Sequence, residues 1–525
     1  MRLERSKNAV RNMRVGLVAQ IVAVLAPFAV RTVFIRTLGS EYLGLNGLFT
    51  SILSVLSLTE LGFGTAIVFS MYQAIAEDDN ETMCALLLLF RRVYRIIGAI
   101  ILISGLLLIP FLPHLIKGSW PGDINLTVVY LIYLLNTVSS YFMYAYIGSL
   151  FSAFQREDII TWVTLVFNTV KYGIQIYILV AVRNYYAFII LMPGVTVLSN
   201  LVTAFLARRM YPKYRPRGEL SEEIKSVIKT KVGGLVISRV CNVTRNSLDS
   251  IFISMFLGLT STAIYNNYFY IMNSVIAIVN IATVAIRAGA GNSVAMETAD
   301  KNHSDMMRLN FGYMWVSGWC TVCLLCLYQH FMFIWAGPEL MMPMSGVIMF
   351  CLYFYVLKMG DIRSVYVEAK GIWWENRFRA LSESAANLVL NYVLGKAFGM
   401  NGIIVATLIS LFVINFCYGS TLIYKYYFTE QKPGGYFAFH GKCAAVTAVV
   451  SLATFIVCEW LPMSLPGFLC KMGVCVILPN LLFFVIYRKT SLYKNAMPWL
   501  LEKIGINPSG SVYEMLTKGI ETTAN

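Results

Sequence analysis

The stretch "IIGAIILISGLLLIPFLP", Ile96–Pro113, runs for eighteen residues without a charged side chain. About 20 apolar residues in a helix cross the hydrocarbon core of a bilayer. Runs of this kind recur along the chain, starting near Val15, Tyr42, Val93, Ile124, Ile159, Tyr185, Val232, Thr262, Phe311, Met344, Ala380, Gly402, Phe439 and Gly467. In lipid every backbone N–H and C=O must be satisfied internally, so only helices and closed barrels span it. A barrel reads as short alternating segments, a pattern this chain lacks. The expected fold is therefore an all-α integral membrane protein of about 14 transmembrane helices. Only 13% of the residues are charged, against roughly 25% in soluble domains, and the mean hydropathy is +0.66.

The net charge of +15 raises the question of nucleic acid, and its distribution answers it. With the N-terminus placed in the cytoplasm, 31 of the 42 lysines and arginines fall in inside segments. Four fall outside (Arg36, Lys117, Arg183, Lys396) and seven within spans (Arg31, Lys171, Arg239, Arg245, Lys358, Arg363, Lys471). That asymmetry is the positive-inside rule; it accounts for the charge without a nucleic-acid partner and puts both termini in the cytoplasm. The opening "MRLERSKNAVRNMRVG" is basic but no small-residue cleavage site follows it. The first apolar segment also outruns a signal-peptide core, so it is expected to stay as the first helix.

No metal site is expected. Cys320-x-x-Cys323-x-x-Cys326 has the spacing of a cluster-ligand run. It lies in an apolar span with no fourth ligand nearby, where cysteine packs as a small hydrophobe. The four histidines are scattered. No G-x-x-x-x-G-K-[ST] loop is present, which argues against direct ATP hydrolysis.

The longest polar connection, Arg208–Lys231, separates six spans from the next six, and a final pair trails. This divides the chain into an N-terminal lobe (1–210), a basic linker (211–231), a C-terminal lobe (232–428), two further spans (429–490) and a cytoplasmic tail (491–525). The lobes open alike, with "RVGLVAQIV" in one and "KVGGLVISRV" in the other. In each a span leads to a glycine (Gly39, Gly258), then to an asparagine early in the next span (Asn46, Asn266). Fourteen residues later stands another polar residue, Glu60 or Asn280. Weak internal symmetry of this kind marks transporter repeats.

Polar residues fall in stripes along these spans. With about 100° of turn per residue, Arg239, Asn242, Asn246 and Asp249 share one arc of span 7, with Arg245 at its edge. Span 2 aligns Asn46 with Glu60; span 5 aligns Thr164, Asn168, Lys171 and Gln175; span 8 aligns Asn266, Asn273 and Asn280; span 11 aligns Glu383, Asn387 and Asn391. Arg245 and Asp249 are four apart and could pair along their own helix. Asparagines also bridge helices as packing. Repeated in both halves, such costly residues are expected to face a bundle interior or a watery cavity. The candidate substrate-binding cations are Arg31, Lys171, Arg239, Arg245, Lys358 and Arg363. The candidate polar and coupling residues are Asn46, Glu60, Asn242, Asn246, Asp249, Asn273 and Asn280. The cations outnumber Glu60, Asp249 and Asp361, and the surplus suits an anionic cargo, since the planar fork of arginine fits phosphate oxygens.

"SKNAVRNMRVGLVAQIV", the following "RTLGSEYLGLNGLFTSILSVLSLTELGFGTA" and the six-six-two layout resemble Wzx-type polysaccharide flippases of the multidrug/oligosaccharidyl-lipid/polysaccharide exporter superfamily. The resemblance covers nearly the whole chain and rests on a diffuse pattern. It implies two lobes around a central cation-lined cavity that opens to alternate sides of the bacterial cytoplasmic membrane. Its cargo would be an undecaprenyl-diphosphate-linked oligosaccharide, with membrane lipids and the polysaccharide polymerase machinery as partners. Arg31, Arg239 and Arg245 resemble the family's cavity arginines by position. No cofactor is implied, and a coupling ion, Na⁺ or H⁺, stays open. The alternatives are a multidrug/cation antiporter of the same superfamily and a lipid II flippase. A glycan polymerase or ligase would need a substantial outer loop, whereas segments such as "LGLTST" and "KAFGMNG" are short.

Overall fold

The computed structural model describes residues 5–57, 63–222, 224–226, 243, 247–372, 374–503 and 516. Among these every regular element is helical. In order they are α1 (Arg5–Thr37), α2 (Ser40–Leu56), α3 (Phe63–Ala76), α4 (Asn80–Leu108), α5 (Leu126–Phe142), α6 (Gly148–Ala153), α7 (Glu157–Tyr177) and α8 (Tyr185–Met210). There follow α9 (Ser247–Leu257), α10 (Leu259–Met296), α11 (Ala299–Ala336), α12 (Met344–Met359), α13 (Asp361–Lys370) and α14 (Arg377–Ile409). A π-helical segment (Ser410–Tyr418) leads into α15 (Gly419–Tyr426), α16 (Pro433–Glu459), α17 (Leu465–Tyr487) and α18 (Ser491–Lys503). Several starts are capped as their sequences dictate. Asp79, Asn125, Asn184 and Ser464 each accept from a backbone N–H in the first turn of α4, α5, α8 and α17, which satisfies donors that a helix start leaves open.

Among the described residues ten helical stretches are long and apolar enough to cross a membrane, or eleven when α5 and the stretch Ala145–Ala153, bent by 45°, count as one. The expected number was about 14, and the differences have local causes. Helix α2 has 17 residues and falls short. Most of the span expected from Val232 lies outside the described residues, which resume with α9. The stretch Arg377–Tyr426 passes as one 50-residue span, yet its chain reverses. Asn387 Nδ2 donates to Thr407 Oγ1 at 3.0 Å, although twenty residues of straight helix would part them by about 30 Å. Gly399 makes the turn with φ 60° and ψ −138°. A Cβ on Gly402 would lie 1.9 Å from the Leu394 carbonyl oxygen, so the two arms meet directly beyond it.

Chain packing divides the molecule into two compact units, Met1–Asn266 and Asn267–Asn525. The division falls inside α10. In the first unit an apolar core of Leu45, Leu48, Phe49, Tyr130, Leu134 and Ile189 joins α2, α5 and α8. Helix α2 carries Gly44 and Gly47 against the start of α10, where added Cβ atoms would lie 2.0 Å from the Leu259 carbonyl oxygen and 2.1 Å from Asn266 Nδ2. Small residues let helices approach this closely. Gly39 and Gly258, matched between the halves by sequence, share φ near +90° (93° and 87°), a backbone glycine adopts without Cβ strain.

In the second unit α11 is central, packing against α12, α16, α17 and α18. Trp315 Nε1 donates to Asn480 Oδ1 at 2.9 Å, Trp319 Nε1 to the Cys475 carbonyl at 2.8 Å, and Tyr328 to the Tyr268 carbonyl at 3.1 Å. Helix α17 shows the membrane pattern: Leu469, Val476, Ile477 and Leu481 are exposed, while Lys471, Cys475 and Phe483 are buried. Apolar side chains turned outward and polar ones inward are what a hydrocarbon solvent selects.

Candidate functional site

Arg31 lies on α1 and Lys171 on α7, two helices that pack together. Their pairing is fixed at one end by Asp158, which is 5% exposed. It takes Arg11 Nε at 2.9 Å and Arg156 Nε at 3.0 Å. Asn12 also exchanges hydrogen bonds with the Gln155 carbonyl and the Asp158 N–H, at 3.2 and 3.0 Å. Arg31 and Lys171 are half-buried. The Lys171 ammonium donates to Asn168 Oδ1 at 3.0 Å and lies 4.6 Å from the centre of the Tyr172 ring. Both of these partners are neutral. The rest of the α7 stripe diverges: Thr164 is exposed, and Gln175 is buried with Nε2 donating to the Phe188 carbonyl.

Asn46 joins helices within the first unit. Its Oδ1 accepts from Tyr133 at 2.5 Å, and the Tyr133 hydroxyl lies 3.2 Å from that of Tyr185. Asp249, fully buried on α9, accepts from Tyr265 at 2.8 Å. Ser250 donates to Asn266 Oδ1, also at 2.8 Å. Glu60, Arg239, Asn242, Arg245 and Asn246 lie outside the described residues, as does the expected pairing of Arg245 with Asp249.

In the second unit the expected cations meet protein groups. Lys358, 2% exposed, donates to Asp361 Oδ2 at 2.7 Å and Asn280 Oδ1 at 2.9 Å. Tyr313 donates to the same Asp361 oxygen at 2.6 Å. Arg363, 3% exposed, gives Nη1 to the carbonyls of Asn415 and Phe416 at 2.6 and 3.3 Å and Nη2 to Asn415 Oδ1 at 3.2 Å. Those carbonyls belong to the π-helical segment, whose wider turn alters the regular hydrogen-bond ladder. Gly360 and Gly419 clear the space, since a Cβ on either would come within 3.0 or 2.6 Å of the guanidinium. Asn280 thus holds Lys358, whereas Asn273 is exposed.

This network also engages Glu383, Arg379, Asn415 and Asn376, which were not among the expected site residues. Glu383, 2% exposed, accepts from Arg379 Nη1 at 2.6 Å and Asn415 Nδ2 at 2.8 Å. Arg379 also gives Nε to Asn376 Oδ1 at 2.7 Å. Glu383 is a further intramembrane acid beside Glu60, Asp249 and Asp361, and it is consumed by an arginine assigned from sequence to an inside segment. The four-residue spacing of Arg379 and Glu383 was the available signal.

The cysteine run resolves differently from its spacing. Cys326 meets Cys458 and Cys475 rather than Cys320 and Cys323, and the three buried sulfurs lie within 4.8 Å of one another. Thiolates in such an arrangement have the ligand chemistry of a soft metal ion.

A family model described as "Polysaccharide biosynthesis protein" matches residues 9–286, just over half of the 525 residues. No curated protein matches the chain. Among solved structures, the lipid II flippase MurJ in its inward closed conformation aligns with a TM-score of 0.67 and 12% identity, over 90% of this chain and 98% of that one. A multidrug resistance MATE family transporter of the MOP superfamily aligns in its inward-facing conformation with a TM-score of 0.60 and 14% identity, over 78% and 97%. An outward-facing MATE structure gives 0.53 and 16%, over 79% and 95%. At such identities the likeness is one of fold.

Proposed function

The chain belongs to the polysaccharide biosynthesis protein family, and from that premise we propose that it flips an undecaprenyl-diphosphate-linked oligosaccharide across the bacterial cytoplasmic membrane by alternating access. The observation that carries the reading is the extent of the family match. Residues 9–286 contain Arg31, Lys171, Arg239 and Arg245, four of the six candidate cations. In this reading those four meet the diphosphate, as charge-assisted hydrogen bonds favour. Lys358 and Arg363 instead hold the second unit together, because Asp361, Asn280 and the π-segment carbonyls already engage them. The chain itself carries out no bond chemistry; polymerisation of the delivered glycan belongs to partner enzymes. The basic segments face the cytoplasm, as lysine and arginine asymmetry directs.

The test is binding and flipping by purified protein in vesicles. An undecaprenyl-diphosphate analogue should bind with an affinity that weakens as salt rises, and Lys171→Ala and Arg245→Ala should each cut transport at least tenfold while the protein still folds. Cationic-dye export, with no effect of either variant on the lipid analogue, would instead select the antiporter reading. In cells lacking the protein, the lipid-linked intermediate that accumulates identifies the glycan; accumulation of lipid II would select the lipid II flippase.

A further inference from the structure

The first unit holds a cavity of about 620 Å³ that is separate from the candidate site residues. Three elements line it. Helix α4 contributes Leu87, Arg91 and Arg95, which share one face at a spacing of four. The end of α5 and the break before α6 contribute Tyr141, Phe142, Met143, Tyr144 and Tyr146. The end of α8 and the chain beyond it contribute Arg208, Tyr211, Tyr214 and Arg215. The lining thus holds four arginines and no carboxylate.

The cavity exists because two segments depart from regular helix. Tyr144 takes a left-handed conformation with φ 60°, which ends α5 and bends the chain by 45°. The segment after α8, expected as a polar linker, folds back onto α4. Arg217 N donates to the Cys84 carbonyl at 3.3 Å, and Tyr211 stacks on Phe154 with ring centres 4.5 Å apart. Burial pushes the hydroxyls of Tyr211 and Tyr214 above their ordinary value, so both stay protonated donors.

The four arginines converge on the cavity, Arg91 half-buried and Arg95, Arg208 and Arg215 exposed. Arg91 bonds the Tyr146 side chain, while its buried Nε has no hydrogen-bond partner. The Arg208 guanidinium lies 5.1 Å from the centre of the Tyr144 ring, which orients its fork without neutralising it. Arginine forks and tyrosine hydroxyls together match the oxygens of a phosphate ester. Phe142 and Met143 line the cavity and are also exposed, at 41% and 39%, so an apolar rim adjoins the arginine cluster. These arginines lie in segments that charge asymmetry places inside.

We infer that this cavity binds the phosphate-bearing headgroup of a lipid, with Arg91, Arg95, Arg208 and Arg215 on the phosphate and Phe142 and Met143 against the start of the tail. The site stands apart from the cargo cations and holds whether or not the cargo reading is correct. Two sources share this chemistry: an anionic phospholipid of the inner leaflet, and a polyprenyl diphosphate.

The test uses full-length protein in nanodiscs and reads retained lipid by native mass spectrometry. The probes are phosphatidylglycerol, phosphatidylcholine, undecaprenyl diphosphate and inorganic diphosphate. Wild type should retain phosphatidylglycerol or undecaprenyl diphosphate at least tenfold more strongly than phosphatidylcholine, and whichever is retained names the source. Arg91→Gln with Arg208→Gln should lose that preference. Arg95→Gln with Arg215→Gln, on the opposite pair, should weaken it and guards against a folding defect in the first variant. Arg92→Gln, exposed on the same helix and outside the lining, should change nothing. Equal retention by wild type and both double variants would overturn the proposal, as would retention of inorganic diphosphate alone.

Discussion

Two clusters of arginine, one in each unit, stand in opposite surroundings: Arg363 and Arg379 are buried, whereas Arg95, Arg208 and Arg215 are exposed and Arg91 is half-buried. In the second unit Arg379 meets Glu383, and Arg363 meets backbone carbonyls and Asn415. In the first unit Arg91, Arg95, Arg208 and Arg215 surround a cavity with no acid in its lining. A buried cation that stays in place needs a permanent counter-group, because desolvation costs several kcal/mol per ion. A cation that meets a mobile anion must leave its first partner out. The contrast separates charge buried to hold helices from charge at an accessible cavity, where a mobile anion can reach it.

The largest expected effect tests the first half of that contrast. Glu383→Ala leaves the Arg379 guanidinium and the Asn415 amide without their shared acceptor and should cost about 3–5 kcal/mol, read as an earlier thermal unfolding of the purified protein. Arg379→Met with Glu383→Leu should recover most of the loss, since apolar replacement of a buried pair is often neutral. Arg208→Gln, at the cavity, should stay within about 0.5 kcal/mol of wild type. An Arg208→Gln variant as unstable as Glu383→Ala would break the comparison.

The sequence shows that charges sit in spans, but partner choice depends on distances along the fold. Lys358 and Asp361 are three residues apart and could be paired on paper. Arg363 and Asn415 lie 52 positions apart, and nothing local joins them until the hairpin of α14 brings the π segment back. Similarly, Arg91 and Arg208 read as separate cytoplasmic charges. Their convergence follows from the break at Tyr144, where "YFMYAY" contains neither glycine nor proline to announce it. Glycines were more legible. Gly39 and Gly258 stood out as a matched pair, and both mark positive-φ turns. The helical membrane fold was legible for a simpler reason: hydrocarbon permits few ways to satisfy a backbone.

A smaller pair of effects sharpens the same distinction through sterics. The Arg363 guanidinium is pinned by the Asn415 and Phe416 carbonyls, and a Cβ on Gly419 would approach it to 2.6 Å. Gly419→Ala should therefore destabilise the protein by about 1–3 kcal/mol, as overpacking does. Gly173, two residues from Lys171, has open space around its Cβ position. Gly173→Ala should be stabilising by up to about 1 kcal/mol through helix propensity. Opposite signs in one thermal-unfolding experiment would show that the second unit confines its cation while the region of Lys171 does not. Equal destabilisation by both would remove that difference.

The smallest effect concerns Asp79, the cap of the helix that carries Arg91 and Arg95. It sits twelve residues before Arg91, about 18 Å along a helix, and its Oδ1 accepts from the N–H groups of Glu81 and Thr82 at 3.0 and 2.9 Å. Hydrogen bonds from Thr82, the side chain foremost, hold its carboxyl below the ordinary carboxylate range. A folded value below the unfolded one means that the stabilisation is complete above the unfolded value and lost as pH falls through the folded one. Asp79→Ala should cost about 1 kcal/mol at neutral pH, the usual worth of an N-cap. Asp79→Asn keeps an acceptor and should cost less, with its deficit against wild type fading as the medium is acidified below the carboxylate range. Because the carboxylate is committed to the cap, Asp79→Asn should leave lipid retention at the cavity unchanged. If Asp79→Asn instead strengthened retention of anionic lipid in a salt-dependent way, Asp79 would count among the groups that neutralise the arginines, and the cavity would resemble the second unit more than its lining implies.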